Sequence, residues 1–241
     1  MKAVIQAGGK GTRLKPYTTI LPKPLMPVGA KPVLELLLNW LRRNNVQDVY
    51  ITTGYLGNLI QTHCGDGHQW DMHIKYTDER EPLGTVGALS LLREDLDEPF
   101  LVLNGDVLTD LSLNSFINHH RQCGSLISIA TSDRSTKLDF GVIESVGGKV
   151  AKFKEKPIFT HSVSMGVYCM EPGVLKHIPN RVSYGMDNLV LGLLDKGIPV
   201  TTFKHSGLWL DIGRVEDFQK AQDMAWDDQP PAYETMVQLV A

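Results

Sequence analysis

Short apolar runs alternate with helical patterns along most of this chain, and that alternation restricts it to one class of fold. Period-2 and short apolar stretches predict strands over 2–6, 48–54, 73–77, 99–104 and 125–131. Further strands are predicted over 141–146, 150–154, 163–170, 199–204 and 208–211. Between them the 3.6-residue period predicts helices over 32–44, 57–63, 84–94, 113–122, 186–196 and 214–226. In the first helix Pro32 suits the first helical position, and leucines with Trp40 supply one apolar face. Arg42 and Arg43 favour its carboxyl-terminal dipole end. Strands that alternate with helices imply a largely parallel sheet covered on both faces. The second half holds more consecutive strands, which predicts a mixed sheet with an appended α+β region.

The chain has 241 residues, 42% of them apolar, enough for a substantial core. A net charge of −3 gives no global basic field, so whole-surface attraction to nucleic acid or to an anionic membrane is excluded. No apolar stretch approaches the roughly 20 residues that span a bilayer; the longest, 33–41, is broken by Glu35 and Asn39. One Lys and about four apolar residues before Gly8 are too few for a signal peptide. Cys64, Cys123 and Cys169 lie far apart with no Cys-x-x-Cys spacing, which argues against a disulfide scaffold and predicts a cytoplasmic protein. His63, Cys64, His68 and His73 match no zinc template, and His119-His120 reads as the surface end of a helix. Residues 227–241 open with Asp-Asp-Gln-Pro-Pro, which cannot continue the preceding helix, so a tail is expected after one domain over 1–226.

Between the first strand and the first helix lie 25 aperiodic residues. Connections in α/β units usually run about 2–6 residues, so a loop of this length is read as functional. It begins Ala7-Gly8-Gly9-Lys10-Gly11-Thr12-Arg13-Leu14 and later carries Pro22-Lys23-Pro24. No Gly-Lys-Ser/Thr closes it as a P-loop, and Leu14 stands where a dinucleotide fingerprint needs its third glycine. What remains is a glycine-rich turn at the carboxyl end of a strand, where ligands dock in open α/β sheets. Glycines there let backbone N–H groups reach phosphate oxygens. Arg13 adds a planar donor fork and Lys23 a point charge, both suited to a polyphosphate.

Two carboxylates stand out further on. Asp106 ends Asn104-Gly105-Asp106 after an apolar strand, where it is either a turn residue or a Mg²⁺ ligand. Asp211, in Trp209-Leu210-Asp211-Ile212-Gly213-Arg214, is costly to bury unless paired or metal-bound; Asp211 or Gly213 also suits the N-cap of the last helix. Thr85 in Leu83-Gly84-Thr85-Val86-Gly87 reads equally as a helix cap, and 152–156 as a solvated strand edge.

The loop string followed by Pro22-Lys23-Pro24 resembles the signature of the sugar-1-phosphate nucleotidylyltransferases, with further similar motifs to about residue 226. The resemblance implies a Rossmann-like three-layer α/β/α fold with a mostly parallel mixed sheet. It also implies that Ala7, Gly8, Gly9, Gly11, Thr12, Gly84 and Thr85 bind the nucleotide. Arg13 and Lys23 would act on its phosphates, while Asp106 and Asp211 hold Mg²⁺. Asn104, Gly141, Glu155, Lys156 and Gly166 fall on the sugar-phosphate side. The implied substrates are an NTP and a sugar 1-phosphate, with no nucleic acid or membrane partner, and a homodimer stays open. The motifs look most like the guanylyltransferase branch, acting on mannose-, heptose- or hexosamine-type sugars. The glutamine-containing segment usual in dTTP-specific members is absent, and no hexapeptide repeat follows, so no β-helix extension is expected. Three alternatives stay open: a uridylyl- or cytidylyltransferase, a transferase for a phospho-alcohol, and a non-catalytic regulatory subunit.

Overall fold

Ala3, Val4 and Ile5 are all fully buried, so the first strand is covered on both faces, as an unbroken apolar run demands. The fold is seen in a computed structural model that describes residues 1–79 and 81–224. The chain runs β1 (Lys2–Gln6), β2 (Pro27–Val28), β3 (Lys31–Pro32), α1 (Val33–Arg43), β4 (Asp48–Thr53), α2 (Gly57–Cys64) and β5 (His73–Asp78). Then come α3 (Gly84–Gly87), β6 (Phe100–Asn104), β7 (Val107–Thr109), α4 (Leu113–Cys123), β8 (Ile127–Lys137), β9 (Val142–Val146) and β10 (Lys149–Lys154). It closes with β11 (Ile158–Met170), α5 (Met186–Leu194), β12 (Val200–Lys204), β13 (Trp209–Asp211) and α6 (Val215–Gln222).

Seven strands form one sheet in the order β12-β8-β11-β6-β1-β4-β5. β1 is parallel to β4 and β6, β4 to β5, and β12 to β8. β11 runs antiparallel to both β6 and β8, so in this sheet it alone is reversed. Alternate side chains of β1 then face opposite layers. Ala3 and Ile5 share a core with Leu34, Leu38 and Leu41 of α1, Ile60 of α2 and Phe116 of α4. Val4 faces Val86, Leu89, and Leu189 and Leu193 of α5. This is the three-layer α/β/α architecture with a mostly parallel mixed sheet. A smaller core of Val28, Val33, Leu36, Leu108, Leu210, Ile212 and Ala221 lies under the antiparallel β13–β7 ribbon and α6.

The span 84–94 is not one helix: α3 stops at Gly87 and a 3-10 stretch follows over Ala88–Leu92. Gly84 and Gly87 are weak helix formers, and the N–H groups of Val86 and Gly87 both donate to Tyr184 O. β8 and β11 extend well beyond 125–131 and 163–170. Most of their outer residues (Ser132, Asp133, Ser135, Thr136, Ser162) are polar, though Ile158 and Phe159 are exposed too, because a ribbon standing in water needs no apolar period. The second half's appended region is therefore an all-β arm, made of this ribbon and the antiparallel β9–β10 hairpin. Phe140 is 77% exposed there, and Ile143, Val146, Val150 and Phe153 are also exposed. Since β8 runs in the direction of β6, its extension past Thr131 projects beyond the carboxyl edge of the sheet.

His120 is buried rather than at the surface. It lies one turn after Phe116, on the inward stripe of α4, and its Nδ1 is 2.8 Å from Ser128 Oγ. The three cysteines are free. Among the described residues no helix is long and apolar enough to cross a membrane. The tail over 227–241 and the last residues of the helix predicted to 226 lie outside the described residues.

Candidate active site

The long loop starts where β1 leaves the sheet, with Ala7 N–H donating to Thr52 O at 2.9 Å. Three single-turn 3-10 helices, Thr12–Leu14, Tyr17–Thr19 and Lys23–Leu25, fold it back on itself. Leu14, Leu25 and Met26 anchor it in the core. Gly11 has φ +59°, and a Cβ there would stand 2.9 Å from Thr18 Cγ2, so the turn requires glycine. Thr18 Oγ1 donates to Gly11 O at 2.8 Å, which holds the return of the chain toward Lys23.

The loop and the carboxyl ends of the central strands enclose a cleft of about 410 Å³, the size of a small-molecule site. Of the residues singled out from sequence, Ala7, Gly8, Gly9, Gly11, Thr12, Arg13, Lys23, Gly84, Thr85, Asn104 and Asp106 line it. Gln6, Thr52, Glu79, Pro82, Gly105 and Gly213 line it as well and were not anticipated. Gln6 and Glu79 carried a legible signal: each is a polar residue at the carboxyl end of a parallel strand, β1 or β5, where α/β sheets place ligands. The Gln6 side-chain amide donates to Thr85 O, and its buried Oε1 has no partner among the described residues. Burial pushes the Glu79 carboxyl up, against the pull of the Leu83 N–H that donates to its Oε2 at 2.9 Å.

Also lining the cleft, Lys23 is ion-paired to Asp106, and its Nζ lies 3.6 Å from Asp211 Oδ1. Burial pushes the Lys23 pKa down; Asp211 opposes that and Arg13 adds to it. Asp106 occupies the turn between β6 and β7, as the turn reading expects, and it also faces the cleft. Asp211 does not line the cleft itself but meets it through Lys23. It pairs in register with Val107, and Ile212 N–H donates to Asp106 O at 3.0 Å, so the two carboxylates are tied backbone to backbone. Neither Asp211 nor Gly213 caps α6: its N-cap is Arg214, and Asp211 Oδ1 instead accepts from Gly213 N–H at 2.8 Å. Among the described residues no three His, Cys, Asp or Glu side chains gather as a metal cage. Two carboxylates that already converge on one cationic group do fit Mg²⁺, which usually takes one or two carboxylates and completes its shell with phosphate and water.

Gly166 has φ +73° and sits in the irregular stretch of β11, between Ser164 and Tyr168, where the pairing with β8 shifts register. A Cβ there would run into the Asn104 side chain, so the bulge brings β11 against the end of β6. Thr85 does not cap α3; its Oγ1 accepts from Met186 N–H at 2.7 Å. Gly141, Glu155 and Lys156 are exposed on the arm and do not line the cleft. A Cβ on Gly141 would meet the Phe153 ring at 2.6 Å, which is reason enough for glycine there. Lys156 has φ +43°, left-handed backbone at a non-glycine residue, of the kind that concentrates at ligand sites.

An α/β sheet with a glycine-rich loop, two local cations and two carboxylates at its carboxyl edge belongs to the class that binds phosphorylated nucleotides. The chain is a member of the nucleotidyl transferase family, whose model matches residues 2–227. It is 34% identical to the UTP–glucose-1-phosphate uridylyltransferase of Synechocystis, over 92% of this chain and 62% of that protein. It is 32% identical to the mannose-1-phosphate guanylyltransferase catalytic subunit beta of Danio rerio, over 90% of this chain and again 62% of the relative. The chain thus spans less than two thirds of the length of these relatives. The crystal structure of HddC from Yersinia pseudotuberculosis complexed with GMP-PN superposes with a TM-score of 0.72 at 25% identity, covering 92% of this chain and 98% of that one.

Proposed function

We propose that this chain is a sugar-1-phosphate nucleotidylyltransferase that joins an NTP, GTP foremost, to a sugar 1-phosphate and releases pyrophosphate. The observation that carries the reading is the convergence of Arg13, Lys23 and Asp106 on the cleft that the glycine loop forms, with Asp211 behind Lys23. Among the described residues nothing in that inventory is a Ser or His general-base pair, and the reaction needs none. A phosphate monoester, with its second pKa near ~6, is already mostly ionised at neutral pH. Its oxygen attacks the α-phosphorus, and the bond from that phosphorus to the pyrophosphate oxygen breaks.

The protein's work is to hold two polyanions together and to place fixed charge where the transition state needs it. Loop N–H groups and Arg13 take the triphosphate, and Lys23 neutralises it. Lys156, on the arm, meets the sugar phosphate. Asp106 and Asp211 would hold Mg²⁺, which when bound screens the phosphate charges and polarises the α-phosphorus. Substrates of this kind and three free cysteines suit the cytoplasm.

The guanylyl assignment rests on the motifs around Lys23, Gly84 and Asp211. The likeness to a uridylyltransferase keeps UTP as the second reading. Pyrophosphate release, measured for every NTP against mannose-, heptose-, hexosamine- and glucose-type 1-phosphates, tests both. Release with GTP and a mannose-type sugar is the expected result. Release with UTP alone selects the second reading, and no release from any pair overturns both.

A further inference from the structure

Asp217, in the first turn of α6, is 1% exposed, yet it takes no part in the chemistry described so far. Its carboxylate accepts from Arg134 Nη1 at 3.1 Å and Nη2 at 2.5 Å, and Oδ2 also accepts from the backbone N–H of Asp211 at 3.1 Å. Arg134 belongs to the outer part of β8, so one side chain joins the arm to the strand that carries Asp211. The guanidinium also lies over the Trp209 ring, 4.5 Å from its centroid, and Trp209 Nε1 donates to Met165 O at 2.9 Å. Arg134, Trp209 and Asp217 thus form a packed unit directly behind Asp211.

Burying an ion pair seldom adds net stability, and apolar side chains of the same size often serve as well. What an apolar side chain cannot do is accept three hydrogen bonds at once. Two of those here fix the carboxylate on the arm, and the third fixes the backbone of Asp211. That N–H is held, Arg214 N–H donates to Asp211 O at 2.9 Å, and Gly213 N–H donates to Oδ1. Oδ1 is the same oxygen that lies 3.6 Å from Lys23 Nζ, so these hydrogen bonds orient the carboxylate toward the cation that Asp106 also pairs with.

We infer that Asp217 is a positioning residue that aims Asp211 at the cation site, and that Arg134 on the arm holds Asp217 in that role. The inference rests on the proposed reading of Asp106 and Asp211 as cation ligands. It can be tested without turnover, by titrating the nucleotide-free full chain with Mn²⁺ and following the free-ion signal by electron paramagnetic resonance. Circular-dichroism melts confirm that each variant is folded at the assay temperature. Outer partners of metal ligands commonly change affinity by about 10–100-fold when lost, so Asp217→Asn should weaken Mn²⁺ binding on the order of 10-fold.

Arg134→Gln should act in the same direction, the double variant should be no worse than Asp217→Asn alone, and Arg134→Lys, which keeps the charge but not the fork, should restore part of the loss. A role in stability alone would show neither the non-additivity nor that rescue. Should Asp217→Asn fail to fold, Arg134→Gln and Arg134→Lys carry the same comparison. If Asp211→Asn weakens Mn²⁺ but folded Asp217→Asn or Arg134→Gln does not, the positioning role is overturned and the cation site stands. If Asp211→Asn leaves Mn²⁺ binding unchanged, the cation reading is overturned and this inference with it.

Discussion

The cleft and the arm treat their polar side chains in opposite ways. At the cleft, Lys23 and Asp106, with Asp211 behind them, are largely withdrawn from water and tied together through Lys23, and their backbones rest on the sheet and on the small core around Leu108 and Leu210. On the arm, Glu155 and Lys156 stand in water on a hairpin whose apolar residues are themselves exposed. Fixed charge acts strongly only where water is excluded. On the proposed reading the cleft would serve the step that develops charge, and the arm would select what approaches it.

The sharpest test of that contrast is Asp106→Asn. It should lower pyrophosphate release by about 10²–10³-fold or more, the scale of losing a preorganised electrostatic group, with an unchanged circular-dichroism spectrum. Near-normal turnover would remove Asp106 from the chemistry. Lys156→Met comes next, on the arm. Hydrogen bonds to charged groups contribute roughly 1.5–3 kcal/mol, so the KM for sugar phosphate should rise about 10–100-fold while the KM for NTP stays put. An equal rise in both would mean that the arm does not act on the sugar side alone.

His120, buried against Ser128 and Glu171, should make stability depend on pH. Burial lowers its pKa in the folded protein, against the Glu171 carboxylate 3.3 Å from Nε2 that pulls the other way. The unfolded chain takes up the proton near pH 6.5, the ordinary value, so protons bind preferentially to the unfolded state below that pH. This part of the stability is complete above pH 6.5 and declines as pH falls. Urea midpoints at pH 7.5 and 5.5 should differ less in His120→Gln than in the natural chain, and an equal difference would show the imidazole is not the titrating group. The smallest effect belongs to the arm: Phe140→Ser should change the urea midpoint by the equivalent of less than about 0.5 kcal/mol. A larger loss would mean that the arm's apolar surface is covered in solution.

The same contrast explains what could be read from the sequence. Sheet strands buried on both faces have apolar centres, so β1, β4 and β6 show in the sequence, and the glycine loop is conspicuous for having no period where one is due. The outer halves of β8 and β11 do not show in the sequence, because their mostly polar residues carry no apolar period. Asp217 and His120 were hidden for another reason: what matters about each is a partner more than 80 residues away in the first case and a helix's inward stripe in the second. Only the folded chain shows which polar residue is buried. The carboxylates Asp106 and Asp211 were legible because each follows an apolar strand, but their common contact with Lys23 was not.

The reversal of β11 has a consequence for how such a chain can diverge. Lys137 and Ile158 are paired neighbours, and Leu138 N–H donates to Pro157 O at 3.0 Å, so the intervening 20 residues leave and rejoin the ladder side by side. The entropic cost of closing such an excursion grows only logarithmically, by about 0.6 kcal/mol for each doubling of its length. A lineage can therefore lengthen, trim or exchange 138–157 without disturbing the seven-stranded sheet. If the arm takes the sugar side, as proposed, grafting that segment between relatives should alter which sugar is accepted while the nucleotide half is inherited unchanged.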